Sequence, residues 1–179
     1  MNIVAFGASN SSTSINQQFA HYAALQFGDE VQLLDLNDFE MPIYSADRER
    51  ESGVPEEALE FLDILADADL LVISMTEHNG AYSAAFKNLF DWASRSEQKV
   101  FQNKPMVLLS TSPGGFGGGN VMQLALTRFP KHGAEIIGHF SLPSFHDNFD
   151  NGIKNKELND QFMEMMVTSK KTLQEQKIG

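Results

Sequence analysis

The sequence of 179 residues contains no cysteine, so a disulfide framework and thiol chemistry are both excluded. Long apolar runs are also lacking, because no stretch approaches the roughly 20 apolar residues that a membrane-spanning helix needs. The first residues include no basic segment and only one short apolar run, Ile3–Phe6, which argues against a signal peptide. These absences predict a cytoplasmic protein without a membrane partner.

Positive charge is scarce in this sequence. Its 13 lysines and arginines are outnumbered by 24 acidic residues, which gives a formal net charge of -11 at pH 7. Because contacts to phosphate backbones require basic patches, nucleic acid is predicted not to be a partner. No Lys or Arg occurs before Arg48, and the five histidines show no spacing typical of metal ligands. We therefore expect no metal site, whereas a small anion is compatible with favourable local donors.

Short apolar runs alternate with segments of helical periodicity. We predict five strands, at Ile3–Phe6, Val31–Leu36, Leu70–Ser74, Met106–Ser110 and Ile136–Phe140. The first four are expected to be buried on both faces, as parallel strands are. Apolar stripes with a helical period predict helices between and after the strands. The sequence thus predicts one α/β domain over residues 1–179, with three layers and a five-stranded parallel sheet in the order 2-1-3-4-5.

In such a sheet, ligands bind beyond the carboxyl ends of the strands, where the strand order reverses, here between strands 1 and 3. The loop after strand 1 carries five hydroxyl side chains between Ser9 and Ser14. One of them could merely cap the next helix, whereas several hydroxyls at a helix N-terminus favour a phosphate site. The loop lacks the patterns of a P-loop and of a dinucleotide-binding turn, so neutral donors alone would hold the phosphate.

Two further loops are expected to face the same crevice. The loop after strand 3 contains Glu77, His78 and Asn79, and the pair Asn79-Gly80 marks a turn; His78 could also be a simple exposed histidine. The loop after strand 4, Ser110–Asn120, contains five glycines. These would let backbone N–H groups approach a flat ligand, or would form only a flexible turn. The three loops together indicate a flat cofactor with a phosphorylated tail, for which FMN is the obvious candidate.

Three motifs in this order resemble those of the NAD(P)H-dependent FMN reductase family, which includes quinone, azo-dye and chromate reductases. The family motif G-S-x-R-x-x-S-x-N aligns with residues 8–16, where Ala8 replaces its Gly and Ser11 replaces its Arg. The motif P-E-Y-N corresponds to residues 76–79, with Thr for Pro and His for Tyr, and K-N-x-x-D-W follows at residues 87–92. The motif S-P-G-G-x-G-G is intact at residues 112–118. The resemblance covers roughly residues 1–150.

The resemblance implies a set of cofactor-binding residues in each loop and no catalytic side chain. The FMN phosphate would be held by Ser9, Ser11, Ser14, Ile15 and Asn16. One side of the isoalloxazine ring would be flanked by Thr76, Glu77, His78, Asn79 and Gly80. The other side would be flanked by Ser112, Pro113, Gly114, Gly115, Phe116 and Gly117. The missing family Arg, at Ser11, agrees with a phosphate held by neutral donors.

The resemblance also implies a flavodoxin-like fold and an oxidoreductase function. Hydride would pass from NADPH or NADH to N5 of FMN, and electrons would then pass to a flavin, a quinone or a similar small-molecule electron acceptor. The sequence leaves the choice of nicotinamide open. The alternative is a flavodoxin-type electron carrier that does not oxidise a nicotinamide. Family members are usually homodimers or homotetramers.

The segment Met41–Pro55 is long for a connection between a strand and a helix. Its apolar start and its charged continuation predict an interface with a second copy of the chain, within which Ser45–Pro55 is a loop. The alternative is a loop folded over its own domain. In the first case Arg48 or Arg50 could supply, in trans, the positive charge that the first loop lacks.

Overall fold

The computed structural model describes residues 1–176, so the last three residues of the predicted 1–179 domain lie outside the described part. Its main sheet consists of β1 (Ile3–Gly7), β2 (Val31–Leu33), β3 (Leu70–Met75), β6 (Lys104–Thr111) and β7 (Ala134–Leu142). A separate hairpin consists of β4 (Glu77–His78) and β5 (Ala81–Tyr82). All pairs in the main sheet are parallel, and the order β2-β1-β3-β6-β7 confirms the predicted order of its five strands.

Helices cover both faces of this sheet, which makes it the middle of three layers, as predicted. The helices are α1 (Ile15–Ala24), α2 (Ala46–Ser52), α3 (Glu56–Asp67), α4 (Ala84–Ser96), α5 (Gly119–Arg128), α6 (Phe145–Asn148) and α7 (Lys156–Gln176). Short 3-10 helices lie at Leu36–Phe39 and Phe129–His132. Helices α1 and α7 pack on one face, whereas α3, α4 and α5 pack on the other. Within residues 1–176, none of these helices has both the length and the apolarity needed to cross a membrane.

Alternate residues of the central strands enter different cores, because successive side chains of a strand point to opposite faces. In β1, Phe6 contacts Phe61 of α3 edge to face, with the ring centroids 5.7 Å apart. Its neighbour Ala5 belongs instead to the core that contains Phe19 of α1. Every residue of β1 and β3 is buried. This two-sided burial explains why these strands read as continuous apolar runs.

The second strand differs from its prediction. It ends at Leu33 rather than Leu36, and both Gln32 and Leu33 are exposed, so its predicted burial on both faces is wrong. The strand pairs only with β1, at the edge of the sheet. It stops because Asp35 Oδ1 accepts a hydrogen bond from the Asn37 N–H at 2.9 Å, which starts the 3-10 helix. The other four strands extend one or more residues beyond their predicted bounds.

The predicted loop Ser45–Pro55 contains helix α2, so that prediction is wrong as well. Ser45 Oγ caps the helix by accepting a hydrogen bond from the Arg48 N–H at 3.2 Å. The helix has no buried residue, and therefore no apolar stripe from which to predict it. Glu49 joins it to α4 by accepting two hydrogen bonds of 3.0 Å from Arg95 Nε, and these bonds lower the pKa of Glu49.

The segment before α2 packs against α4 of its own chain. Asn88 donates to the carbonyl oxygen of Met41 at 3.0 Å and accepts from the Tyr44 N–H at 2.8 Å. Trp92 Nε1 donates to the carbonyl oxygen of Pro42 at 2.7 Å. Residues 41–44 are therefore folded over their own domain, which was the alternative to a contact with a second copy of the chain. Within this segment Ile43 is 75% exposed.

The two arginines considered for a contact in trans are engaged locally. Arg48 donates a hydrogen bond to the carbonyl oxygen of Ile43. Arg50 forms an exposed ion pair with Asp47, with 2.6 Å between Nη2 and Oδ1. An exposed ion pair of this kind contributes little to stability, so it does not fix the side chain of Arg50 in this position.

We expect Asn88→Ala to destabilise the fold by about 2 kcal/mol, because Met41 O and the Tyr44 N–H lose their side-chain partner, whereas Pro42 O keeps its bond from Trp92 Nε1. The matched control is Lys87→Ala, which removes only an exposed ion pair with Asp91 and should cost less than about 0.5 kcal/mol. Urea unfolding measures both. Equal losses in the two variants would contradict the anchoring role of Asn88.

Candidate functional site

The carboxyl ends of β1, β3 and β6 meet at one edge of the sheet. The chain continues from β1 into α1 on one face and from β3 into α4 on the opposite face. The strand order therefore reverses between β1 and β3, and a crevice opens there between the loops that follow them. The structure brings the first and second predicted loops together at this point, and β6 places the third beside them.

The first loop, residues 8–14, forms a compact turn that leads into α1. Ser14 caps the helix, since its Oγ accepts a hydrogen bond from the Gln17 N–H at 3.1 Å. Ser9 Oγ accepts in the same way from the Ser11 N–H at 3.1 Å. Both oxygens act as acceptors in these contacts, so the hydroxyl protons of Ser9 and Ser14 are left to donate to a ligand. Ser11, with Ser12 and Thr13, is exposed at the rim.

Helix α1 begins at Ile15 and points its N-terminus at the crevice. The first N–H groups of an α-helix have no carbonyl partner in the helix. The Gln17 N–H is satisfied by Ser14, which leaves those of Ile15 and Asn16 facing the turn. These two groups and the positive end of the helix dipole suit an anion.

The side chain of Asn16 is hydrogen-bonded within the protein, whereas the sequence predicted that it contacts the phosphate. It is 2% exposed, and its Nδ2 donates to the carbonyl oxygen of Thr111 at 3.1 Å. Its Oδ1 accepts from Ser74 Oγ at 2.7 Å and from the Thr111 N–H at 3.0 Å. The amide thus joins the start of α1 to the ends of β3 and β6, and only the backbone N–H of Asn16 is available to a phosphate.

The second loop is a hairpin formed by β4 and β5. Asn79 (φ 53°) and Gly80 (φ 76°) occupy its two turn positions, as the predicted Asn-Gly turn requires. His78 is exposed near the tip. Tyr82 packs against Phe86 at the other end of the hairpin, and burial raises the pKa of Tyr82 to about 12. His78 belongs to no metal cluster, since no group of three or more His, Cys, Asp or Glu side chains that could hold a metal exists in the described chain.

Glu77 joins this hairpin to the third loop. Its carboxylate accepts hydrogen bonds from the Val121 N–H at 2.9 Å and from Asn120 Nδ2 at 3.1 Å, both in the first turn of α5. The N-cap of α5 is Gly118, which has no side chain to offer. Glu77 therefore caps this helix from a distant part of the chain.

The glycine-rich loop, residues 112–119, contains two kinds of glycine. Gly117 has a φ of 61°, and a Cβ there would lie 2.9 Å from the carbonyl oxygen of Leu142, so the fold itself requires glycine. Gly114 and Gly115 are exposed, and a Cβ on Gly115 would meet no atom within 4 Å. Glycine at 115 thus serves no packing need in the described chain, which is consistent with the close approach of a ligand.

The remaining predicted residues of this loop are placed around these glycines. Ser112 Oγ donates to the carbonyl oxygen of Gly114 at 3.2 Å. Pro113 is exposed, and the ring of Phe116 is 67% exposed while it lies against Gly119. The loop therefore presents an exposed apolar ring beside two open backbone positions.

A cleft of about 330 Å³ lies on the other side of the hairpin. It is lined by Asn10, Leu36, Asn37, Phe39, Glu40, Met41, Ile43, His78, Ser83, Ala84, Ala85 and Asn88. Of the predicted site residues only His78 takes part, and the glycine-rich loop does not line it. Sequence reasoning predicted an interface at residues 41–43 but missed residues 36–40, because this part of the wall follows the edge strand and carries no recognisable motif.

FMN fits the residues present in three respects. Hydroxyls and free N–H groups surround the N-terminus of α1, which suits the phosphate. The open positions at Gly114 and Gly115 would accept a flat ring. Thr76 Oγ1 is buried at the end of β3 and has no hydrogen-bond partner within residues 1–176. An unsatisfied buried hydroxyl costs about 1–3 kcal/mol, so a bound ligand that supplied a partner would recover that energy.

The fold and these loops define a flavodoxin-like α/β protein with a mononucleotide site at its topological switch point. Residues 1–147 match the family model described as NADPH-dependent FMN reductase. The chain belongs to this family and is an oxidoreductase of it, and FMN and a nicotinamide are the cofactor and co-substrate of the family.

Relatives of known sequence agree with this family. An uncharacterized protein of Mycoplasma pneumoniae is 30% identical over 146 residues, which cover 79% of this chain and 86% of that protein. A 2-hydroxy-1,4-benzoquinone reductase of Burkholderia sp is 36% identical over 58% of this chain and 56% of that enzyme. An NADPH azoreductase of Bacillus sp. is 39% identical over 58% of this chain and 54% of that enzyme. The chain thus aligns with about half the length of these named reductases.

Solved structures share the fold. The flavoenzyme NAD(P)H:(acceptor) oxidoreductase FerB from Paracoccus denitrificans superimposes with a TM-score of 0.71 at 19% identity, covering 95% of this chain and 97% of that one. An azoreductase from Bacillus anthracis gives a TM-score of 0.62 at 19% identity, covering 95% and 100%. At these identities the superpositions establish the fold alone.

We expect Thr76→Val to weaken FMN binding about tenfold and to raise the stability of the apoprotein by about 1 kcal/mol, because it deletes an unsatisfied hydroxyl without changing the shape of the side chain. Titration of FMN and urea unfolding of the apoprotein measure the two effects. Thr76→Ser, which keeps the hydroxyl, is the control. A valine variant that is stabilised but binds FMN normally would show that the hydroxyl never contacts the cofactor.

Proposed function

We propose that the protein is an FMN-dependent NAD(P)H oxidoreductase that passes electrons to a small acceptor such as a quinone or a flavin. The match of residues 1–147 to the NADPH-dependent FMN reductase family carries this proposal. The names of the quinone and azo reductases among its relatives support the choice of acceptor class.

The phosphate of FMN would be held by neutral groups at the start of α1. The donors are the hydroxyls of Ser9 and Ser14, the N–H groups of Ile15 and Asn16, and the exposed Ser11. Because Ser9 and Ser14 are each 9% exposed, they donate in a site that is largely shielded from water. No Lys or Arg belongs to this loop, so the dipole of α1 supplies the positive potential.

The other two loops would orient the ring. FMN when bound supplies the hydride and electron chemistry, and the protein positions and tunes it. The exposed backbone at Gly114 and Gly115 can donate hydrogen bonds to negative charge, as the donors of an oxyanion hole do. Glu77 fixes the hairpin relative to this loop. His78 is the side chain that we assign to contact the substrate, and we assign no side chain as a general acid or base.

We also propose that residues 1–179 form one domain that assembles as a cytoplasmic homodimer or homotetramer. Two exposed apolar side chains near the site support assembly, since Ile43 is 75% exposed and Phe116 is 67% exposed. Light scattering of the FMN-loaded protein measures the assembly. A stable species near the chain mass of 19.9 kDa would contradict it.

Anaerobic mixing of the FMN-loaded protein with NADH or NADPH tests the activity. We expect loss of the flavin absorbance near 450 nm without any partner protein, and reoxidation when a quinone is added. A flavodoxin-type electron carrier, the second candidate, would bind FMN but would not be reduced by either nicotinamide. The acidic net charge of -11 is the observation that favours this carrier.

We expect Ser14→Ala to weaken the binding of FMN about tenfold and to leave riboflavin binding unchanged, because only FMN carries the charged group to which the hydroxyl would donate. The matched control is Ser45→Ala, which removes an equivalent N-cap from α2. It separates loss of a cap from loss of a phosphate donor. Equal weakening for both flavins would mean that Ser14 is only a helix cap.

A further inference from the structure

We infer that the cleft beside the hairpin binds the electron acceptor, and that it selects uncharged planar acceptors over anionic ones. We call it the acceptor cleft, and its lining residues are those given above. The inference rests on the proposed function and deepens it, since flavins, quinones, azo dyes and chromate differ in charge. It depends on four properties of the cleft: its position, its walls, its hydrogen-bond donors and its charge.

The position of the acceptor cleft links it to the candidate cofactor site. Asn10, in the first loop, forms part of its lining, and so does His78, in the hairpin. These two residues belong to the loops that would hold the phosphate and one side of the ring. The cleft and the cofactor site therefore share a border, as a direct electron transfer between their occupants requires.

Half of the residues that line the acceptor cleft are apolar. Leu36, Phe39 and Met41 form a buried backing with 4–9% exposure, and Ile43 projects at the rim with 75% exposure. Ala85 of α4 lies on the opposite wall. The volume of about 330 Å³ is near the lower end of the range of ligand pockets. Such a space suits an acceptor with one or two fused rings.

Two polar side chains of the acceptor cleft have no hydrogen-bond partner in the described chain. They are those of Asn10 and His78, which make no hydrogen bond to any residue from 1 to 176. By contrast, Ser83 Oγ already donates to the carbonyl oxygen of Ala8 at 2.7 Å, and Asn88 is occupied by residues 41–44. The Asn10 amide and one ring nitrogen of the His78 imidazole can each donate a hydrogen bond, which would match the carbonyl oxygens of a quinone.

The charge of the acceptor cleft disfavours anions. Glu40 is its single carboxylate, and no Lys or Arg is among the lining residues. The nearest basic groups are engaged elsewhere: Arg48 donates to the carbonyl oxygen of Ile43 behind the rim, and Lys87 pairs with Asp91 at 2.7 Å. An acceptor with a sulfonate or an oxyanion would therefore meet an uncompensated negative charge.

The reaction in this cleft balances with the reductant that the proposed function supplies. One NAD(P)H provides one hydride, which is two electrons and one proton, and solvent provides the second proton. A quinone then becomes a hydroquinone and NAD(P)H becomes NAD(P)+. No other oxidant or reductant is needed.

A matched pair of acceptors tests the inference: 1,4-naphthoquinone and its 2-sulfonate. We expect the FMN-loaded wild type to bind the neutral quinone at least about tenfold more tightly, measured by calorimetry, and to show the same preference in kcat/KM. Glu40→Gln should reduce the preference about tenfold, and Glu40→Lys should remove or reverse it. Glu164→Gln, on the exposed surface of α7, is the control for net charge.

The outcomes separate this inference from the proposed function. If neither nicotinamide reduces the flavin, the proposed function fails, and the calorimetric titration still decides whether the cleft binds the neutral quinone and whether Glu40 sets its preference. If the flavin is reduced normally but both Glu40 variants keep the wild-type ratio between the two quinones, only the inference is overturned. Added salt should reduce the preference of the wild type for the neutral quinone over the sulfonate. The smaller preference of Glu40→Gln should be nearly unchanged by salt.

Discussion

The side-chain amide of Asn16 is the interaction on which the candidate site depends. It lies in the first turn of α1, yet its oxygen and nitrogen bond to Ser74 at the end of β3 and to Thr111 at the end of β6. Because both of its polar atoms are buried and paired, displacing any one of the three segments would leave a polar group unsatisfied. The phosphate turn, the hairpin and the glycine-rich loop therefore start from positions that are fixed relative to one another.

In the proposed function, this rigid arrangement would let an acidic protein bind an anion without a cation. The helix dipole and the hydroxyls of Ser9 and Ser14 would replace the Arg that the family motif has at the position of Ser11. Dipoles in a shielded turn are less sensitive to salt than exposed ion pairs are. The charge in the neighbouring acceptor cleft is of the opposite sign, since Glu40 is among its lining residues and no Lys or Arg is. If both proposals hold, one edge of the sheet presents two adjacent sites of opposite electrostatic preference.

The sequence predicts the sheet well because its signal is local and repeated, as the continuous apolar runs of β1 and β3 show. It fails where one polar contact redirects the chain. Leu34 and Leu36 prolong the apolar run of β2, but the cap from Asp35 ends the strand. Helix α2 has a cap and a contact to Arg95 but no apolar stripe. Within the site, the positions of the loops were predictable, whereas the task of Asn16 was not, because its partners lie 58 and 95 residues away.

The cap that Glu77 provides to α5 constrains how this protein can diversify. Loops usually tolerate insertions, but a residue added between Glu77 and Ser83 would pull the carboxylate away from Val121 or strain the two-residue turn. The wall formed by residues 36–43 has no such tie to a helix terminus in the described chain: buried Leu36, Phe39 and Met41 anchor it in the core, and Asn88 and Trp92 hold its last residues to α4. Evolutionary drift in substrate preference would therefore proceed through this wall, while the hairpin keeps its length.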